Sequence, residues 1–284
     1  KSINRIEDSF LVSCTGGRYR SRLLVLATGG CSYPATGSSG DGYGFARILG
    51  HSISDIGPAL SPVIIKDYPF SDLAGLSFSD LKISLYRRIK IKDHRGDILF
   101  THDGLSGPGI LDLSRYIRAG DLIKISFIPE EKREELEKWL VEKSQNDGGK
   151  KLTTALAGMP LSLPPGLQLS FRLTKRLLQI SGIASDLQLS QLTREMRNRL
   201  IDNLTGLSFV VSDVCGFNAA MCTRGGVLTT EVDPKTMQSR LVSGLYLVGE
   251  VLDIDGDTGG YNLQAAFSTG MLAARSIKSI FKPS

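Results

Sequence analysis

The chain has 284 residues, 41% hydrophobic and 22% charged, with 34 Lys and Arg against 29 Asp and Glu and a formal net charge of +5. That composition describes a globular protein able to bury one large core or two smaller ones, and it excludes a disordered or fibrous chain. No uninterrupted apolar run approaches the ~18 residues of a membrane span.

Residues 1–26 read as a small β-meander, with Phe10-Leu11-Val12 as one strand and turn chemistry at Thr15-Gly16-Gly17. Leu23 to Ala27 forms an apolar run that reads as a strand buried on both faces, ending in Thr28-Gly29-Gly30. Glycines at the C-terminal end of such a strand let a ligand approach the backbone. The loop from Pro34 to Gly44, rich in glycine and hydroxyls, is expected to wrap a ligand, and Phe45 to Leu49 to form a short helix closed by Gly50.

Between residues 61 and 128 the chain shows short apolar runs at Val63–Ile65, Leu81–Leu85, Ile89–Ile91, Ile98–Phe100 and Leu122–Phe127. Their spacing predicts an antiparallel sheet or small barrel. The polar turn Thr101-His102-Asp103-Gly104-Leu105-Ser106-Gly107-Pro108 interrupts them, and Pro108 is placed to open a helix. Helical periodicity follows at Glu130–Val141, Arg172–Ile180 and Leu189–Leu200, then a strand at Ser208–Val214. The arginines between Arg172 and Arg199 lack interleaved aromatics and read as a solvated helix face rather than a nucleic-acid site. No C-x-x-C pair occurs among Cys14, Cys31, Cys215 and Cys222, and the three histidines are scattered, so no metal site is indicated. Free thiols and the lack of a signal-peptide pattern point to the cytoplasm.

The most informative stretch lies near the end. Leu245 to Val248 predicts a buried parallel strand, followed by a loop with Asp253, Asp255, Gly256, Asp257, Gly259 and Gly260. Leu263, Ala266, Phe267, Gly270, Met271 and Ala274 then make one apolar helical face, with Asn262 at the expected N-cap. A helix N-terminus after a glycine loop favours an anionic or electron-rich ligand edge. The fold class is therefore α/β: a ligand-binding domain whose two glycine-rich parts share one sheet, interrupted by a β-barrel-like and helical insert. The expected bounds are 1–58 and 223–284 for the binding domain and 59–222 for the insert.

Ala27–Gly30, the loop Thr36-Gly37-x-x-Gly40-Asp41-Gly42-Tyr43, the turn Thr101–Pro108, Thr223–Val227, Pro234–Ser239 and Gly244–Gly270 together resemble the BaiN-like, or YhiN-like, flavoproteins. The resemblance implies that the interrupted domain is a Rossmann-like FAD/NAD(P)-binding domain, incomplete here, and that the protein is an FAD-dependent oxidoreductase reduced by NAD(P)H, with an unidentified small-molecule acceptor. It implies that Thr28, Gly29, Gly30, Thr36, Gly37 and Asp41 line the dinucleotide. Gly249 and Glu250 would meet the ribityl or pyrophosphate region, and Gly259, Gly260, Tyr261, Asn262 and Leu263 would lie against the isoalloxazine. His102 is the candidate proton donor, as imidazole is a common general acid, the alternative being a histidine that bonds only to backbone in that tight turn. The family opens with a G-x-G-x-x-G turn that this sequence does not contain, since Gly40-x-Gly42-x-Gly44 has the wrong spacing. The expectation is thus a piece with an incomplete FAD domain and impaired FAD binding. The alternatives are a non-catalytic binding module with a vestigial flavin site and, left open by the basic balance, a flavin enzyme acting on RNA bases.

Overall fold

The computed structural model describes residues 1–159 and 169–281. It divides into two compact units, Lys1–Ser61 with Cys215–Ser284, and Pro62–Val214. Residues 59–61 and 215–222, read from the sequence as insert, group with the first unit.

The first unit begins with the meander β1 (Ser2–Ile6), β2 (Ser9–Cys14) and β3 (Gly17–Ser21), all antiparallel. Strand β4 (Leu24–Leu26), helix α1 (Asp41–Ile48) and strand β5 (Gly57–Ala59) follow. Helix α1 starts earlier than expected because Gly40, at φ 76°, turns the chain into it.

The second unit contains β6 (Val63–Ile65), the long hairpin β7 (Ser77–Arg87) and β8 (Ile89–Phe100), β9 (Gly104–Ser106), α2 (Pro108–Leu113) and β10 (Leu122–Ser126). Helices α3 (Arg133–Asn146), α4 (Leu152–Ala157), α5 (Phe171–Ile180) and α6 (Arg194–Gly206) come next, and β11 (Leu207–Val214) ends the unit. The six strands close into a barrel in the order β10-β11-β6-β9-β8-β7. The runs Ile89–Ile91 and Ile98–Phe100 belong to one strand, because the polar middle Lys92–Gly96 pairs continuously with Leu81–Leu85. The helix expected over Leu189–Leu200 is broken: a single tight turn at Leu189–Gln191 precedes α6, whose N-cap Thr193 accepts a bond from Met196 N at 3.2 Å.

Inside the barrel Phe70 and Phe100 approach to 5.2 Å between ring centroids, and Phe78 and Phe127 to 5.3 Å. Leu136 and Leu140 of α3 and Leu200, Ile201 and Leu204 of α6 continue that cluster, which is why these helices cover the sheet.

The chain returns to the first unit with β12 (Cys222–Arg224), which pairs antiparallel with β5, then β13 (Leu245–Leu247), which pairs parallel with β4. Helix α7 (Tyr261–Ile280) ends the described chain. Strand β13 is fully buried, as expected, but β4 is not, since Val25 is 43% exposed. The apolar face expected of α7 is also misplaced. Leu263, Phe267 and Met271 are 66%, 71% and 54% exposed, and the helix packs through Thr269, Leu272, Ala273 and Ile277. Small side chains let the helix backbone lie close to the turn after β13, where Thr269 Oγ1 accepts a bond from Gly249 N at 3.0 Å.

A buried Ser-His-Glu chain also stabilises this unit. His51 Nδ1 lies 2.8 Å from Glu231 Oε2, and Nε2 lies 2.9 Å from Ser239 Oγ. Ser239 Oγ additionally accepts from Leu241 N and Val242 N, so its lone pairs are occupied and the arrangement is a clamp, not a nucleophile. Glu231 is subject to burial, which alone would raise its pKa. Hydrogen bonds from Ser52 and the nearby His51 outweigh burial and hold the carboxyl below its ordinary range. No described helix is long and apolar enough to cross a membrane.

Candidate functional site

The ends of the two parallel strands converge on one carboxylate. Strand β13 continues to Val248, whose N–H donates to Leu26 O at 3.1 Å, and Gly249, at φ 74°, turns the chain so that Glu250 faces the end of β4. Glu250 Oε1 accepts from Thr223 N at 2.7 Å and Oε2 accepts from Gly30 N at 3.2 Å. Thr223 Oγ1 accepts in turn from Cys31 N at 2.8 Å. The phenol of Tyr43, on α1, donates to Glu250 O at 3.3 Å. Three segments distant in sequence are thereby tied at the C-terminal edge of the sheet.

The chemistry of this knot is that of a scaffold. A Cβ on Gly30 would run into Thr223 and Glu250, so glycine is required there by the protein's own packing. Burial, and then the Glu250 charge, push the Cys31 thiol up, which disfavours a reactive thiolate. Burial first, then the neighbouring Cys31 and Glu250, raise the Tyr43 phenol, so it stays a donor.

Beside the knot, a cavity of about 160 Å³ is lined by Cys222, Gly249, Glu250, Ile254, Asn262 and Ala266, among others. Its far wall is the start of α7. Gly259 and Gly260, at φ 118° and 92°, bring the loop into the helix, and Gly260 is the N-cap without any side-chain cap. The first-turn amides of α7 are left for an external acceptor. Asn262 is not the N-cap. It lies within the first turn, where Oδ1 accepts from Gly256 N at 2.7 Å and Nδ2 donates to Gly256 O at 3.0 Å. Both halves of its amide therefore hold the acidic glycine loop against the helix.

Of the residues singled out in the sequence, Gly30 and Glu250 meet directly, and Gly249, Glu250, Asn262 and Leu263 line the cavity. Gly29 adopts φ 72°, and Thr28 lies close against Gly42. Thr36 and Gly37 form an exposed turn, in which Thr36 Oγ1 donates to Tyr33 O at 2.8 Å, and Asp41 opens α1 at 4.0 Å from Lys1 Nζ. These three stand outside the knot. Tyr261 is exposed at the helix start. His102 is exposed in the turn before β9, in the second unit, and holds no hydrogen bond among the described residues. Thr223 and Tyr43 were not picked out individually as site residues, because only long-range contacts give them their role.

The parts present suit part of a flavin dinucleotide: open helix amides for an electron-rich edge, a glycine-lined strand end and a half-buried carboxylate between them. The cavity is smaller than the ~300–1,000 Å³ of a whole small-molecule site, so it forms one wall of such a site.

A Rossmann-type module with an inserted barrel is the class that these elements define. The family model described as the HI0933-like protein Rossmann domain matches residues 1–276, and the chain belongs to that family. It is 34% identical over 272 residues to a 3-dehydro-bile acid delta(4,6)-reductase of Clostridium scindens, covering 94% of this chain and 64% of the relative. It is 32% identical over 279 residues to the ribosomal RNA dihydrouridine synthase of Escherichia coli, and 30% identical over 282 residues to that of Haemophilus influenzae. Each of those alignments covers 97% of this chain and 66% of the relative. The chain thus spans just under two thirds of the length of these relatives.

Proposed function

We propose that the protein is an FAD-dependent oxidoreductase, reduced by NAD(P)H, that saturates an activated carbon–carbon double bond. The observation that carries this reading is the cavity between the Gly249–Glu250 turn and the uncapped start of α7. The names of its relatives, a delta(4,6)-reductase and two dihydrouridine synthases, both denote addition of hydrogen across such a bond.

When bound, FAD supplies the hydride chemistry. The residues of this chain contribute binding and electrostatics. The first-turn amides at Tyr261, Asn262 and Leu263, with the helix dipole, would stabilise negative charge on the flavin's ring edge. Gly249 and Glu250 would meet its polar linker, and Thr28, Gly29, Gly30, Thr36, Gly37 and Asp41 would flank the remainder of the dinucleotide. Asn262 fixes the loop that shapes the cavity, and so acts as a positioning residue.

The test is flavin uptake. The chain, alone and extended to the length of its relatives, is incubated with FAD, desalted and scanned for blue absorbance, then titrated anaerobically with NADH and NADPH. Flavin absorbance that bleaches with the nicotinamide is the expected result. A protein that neither retains FAD nor is thermally stabilised by it in either length overturns the reading.

A further inference from the structure

The second unit presents a surface that flavin chemistry does not use. Strands β7 and β8 meet in a tight bend at Arg88, at φ 62°, with Arg87 opposite Ile89. The tip then reads Arg88-Ile89-Lys90-Ile91-Lys92. Ile89 and Ile91 are 72% and 41% exposed, so two aliphatic side chains stand in water between cations. The apolar surface continues across the sheet: Tyr86 stands opposite Leu122 of β10, and Leu122 opposite the exposed Val210 of β11. A contiguous apolar patch rimmed by charge marks an interaction surface.

The cations border this patch. Tyr86, Arg87, Arg88, Arg118, Leu122 and Lys124 line one groove of about 550 Å³. Lys124 Nζ lies 5.3 Å and Lys90 Nζ 5.8 Å from the Tyr86 ring centroid. Lys92, which is not part of that lining, has its Nζ 4.2 Å from the ring centroid of the exposed Tyr116. The acids nearby are already engaged. Asp121 accepts two bonds from Arg87 and one from Arg118 N, and Asp93 accepts from Lys90 and Ser84. Among the described residues, the side chains of Arg88, Lys92, Arg118 and Lys124 have neither a hydrogen bond nor a carboxylate partner.

We propose that the β7–β8 tip, with the groove beside it, lies on an anionic lipid bilayer. Ile89 and Ile91 enter the boundary between headgroups and acyl chains, and Tyr86 and Tyr116 sit at headgroup level. Arg88, Lys92, Arg118 and Lys124 reach the lipid phosphates. The lack of a long apolar run excludes crossing the bilayer, not lying on it. A nucleic-acid strand leaves both isoleucines in water. A rigid acidic protein needs cations held in fixed positions, which these are not, whereas fluid headgroups move to meet them. Helix α7 also exposes an apolar stripe, but no Lys or Arg occurs between Tyr261 and Ala274, so nothing there selects an anionic surface. The proposal is independent of the flavin reaction, because vesicle binding needs no cofactor.

The test is flotation of the 284-residue chain with vesicles of phosphatidylglycerol and phosphatidylcholine in equal parts, and with phosphatidylcholine alone, over a salt series. The charge variant is Arg88→Gln/Lys92→Gln/Lys124→Gln, and the apolar variant is Ile89→Ser/Ile91→Ser. The controls are Lys138→Gln/Lys175→Gln/Arg194→Gln, at exposed helix positions of the second unit, and Phe267→Ser/Met271→Ser on α7. Wild type should float with the anionic vesicles, and less so as salt screens the charge. At about fivefold per cation, the charge variant should bind about 100-fold more weakly. The apolar variant should lose about tenfold or more. Both controls should bind as wild type does. Circular dichroism melting of every variant checks that the fold persists.

No flotation of the wild type, equal binding to neutral vesicles, or a loss in either control equal to that in the tip variants overturns the proposal. So does an apolar variant that binds like wild type, because charge alone then serves any polyanion, RNA included. Flavin uptake is read separately by absorbance, so its failure leaves this result standing.

Discussion

Glu250→Gln separates a carboxylate that ties the protein together from one that waits for a ligand. In the native structure each carboxylate oxygen has its own backbone donor, Thr223 N at 2.7 Å and Gly30 N at 3.2 Å. Glutamine keeps the shape but has one carbonyl oxygen, so its NH₂ must face one of the two amides. A charge-assisted hydrogen bond is worth about 1.5–3 kcal/mol, and the orphaned donor adds to the loss. Glu250 is only half-buried, so water recovers part of it. The expected cost is about 2–3 kcal/mol, or roughly 30- to 150-fold in local opening. Hydrogen exchange read by mass spectrometry on peptides containing Gly30–Ser32 and Cys222–Arg224 measures it directly. Both peptides should exchange faster by that factor, while peptides from the barrel should not change. Unaltered exchange at Gly30 and Thr223 would refute the assignment of Glu250 as the knot between the strand ends.

Three further outcomes follow from described contacts. Ser239→Ala removes the partner of buried His51 and the acceptor of two amides, and should cost about 2–3 kcal/mol by chemical denaturation of the first unit, followed by tyrosine circular dichroism. Phe100→Ala opens the aromatic cluster of the barrel and should cost about 3–5 kcal/mol, seen in the fluorescence of Trp139, the one tryptophan of the chain. For pH, Glu231 has a folded-state pKa below its unfolded value, so the unfolded chain binds more protons in acid. Its stabilising contribution is complete above the ordinary glutamate pKa of about 4.3 and is lost as pH falls through the folded value. Glu231→Gln should flatten that acid limb in a series of thermal melts.

The sequence made the parallel strand β13 and the glycine-loop start of α7 legible, because an apolar run bounded by glycines has few other uses. The barrel was legible for a similar reason, through its short runs of Ile, Val, Leu and Phe. What local pattern could not reveal was which partner each residue meets. Asn262 has the propensity of an N-cap, but two bonds to Gly256 draw it into the first turn. The stripe through Leu263, Phe267 and Met271 has perfect helical spacing, yet the helix packs on its Thr269–Ala273 side, because small groups permit closer approach. Thr223 and Gly30 become a pair only through a contact between segments far apart in the chain.

The way the barrel is tethered has an evolutionary consequence. Its first and last strands are neighbours: β6 pairs with β11, and Val63 stands opposite Val214. On the other side of the junction, Ser61 Oγ donates to Cys215 O at 2.6 Å, so the two attachment points in the first unit also touch. A segment with adjacent ends can be gained or lost in one genetic event, since the host needs only a hairpin turn to close the gap. The barrel is therefore a transplantable cassette. Exchanging it between relatives would move whatever it recognises onto another host without recutting the sheet that carries Glu250.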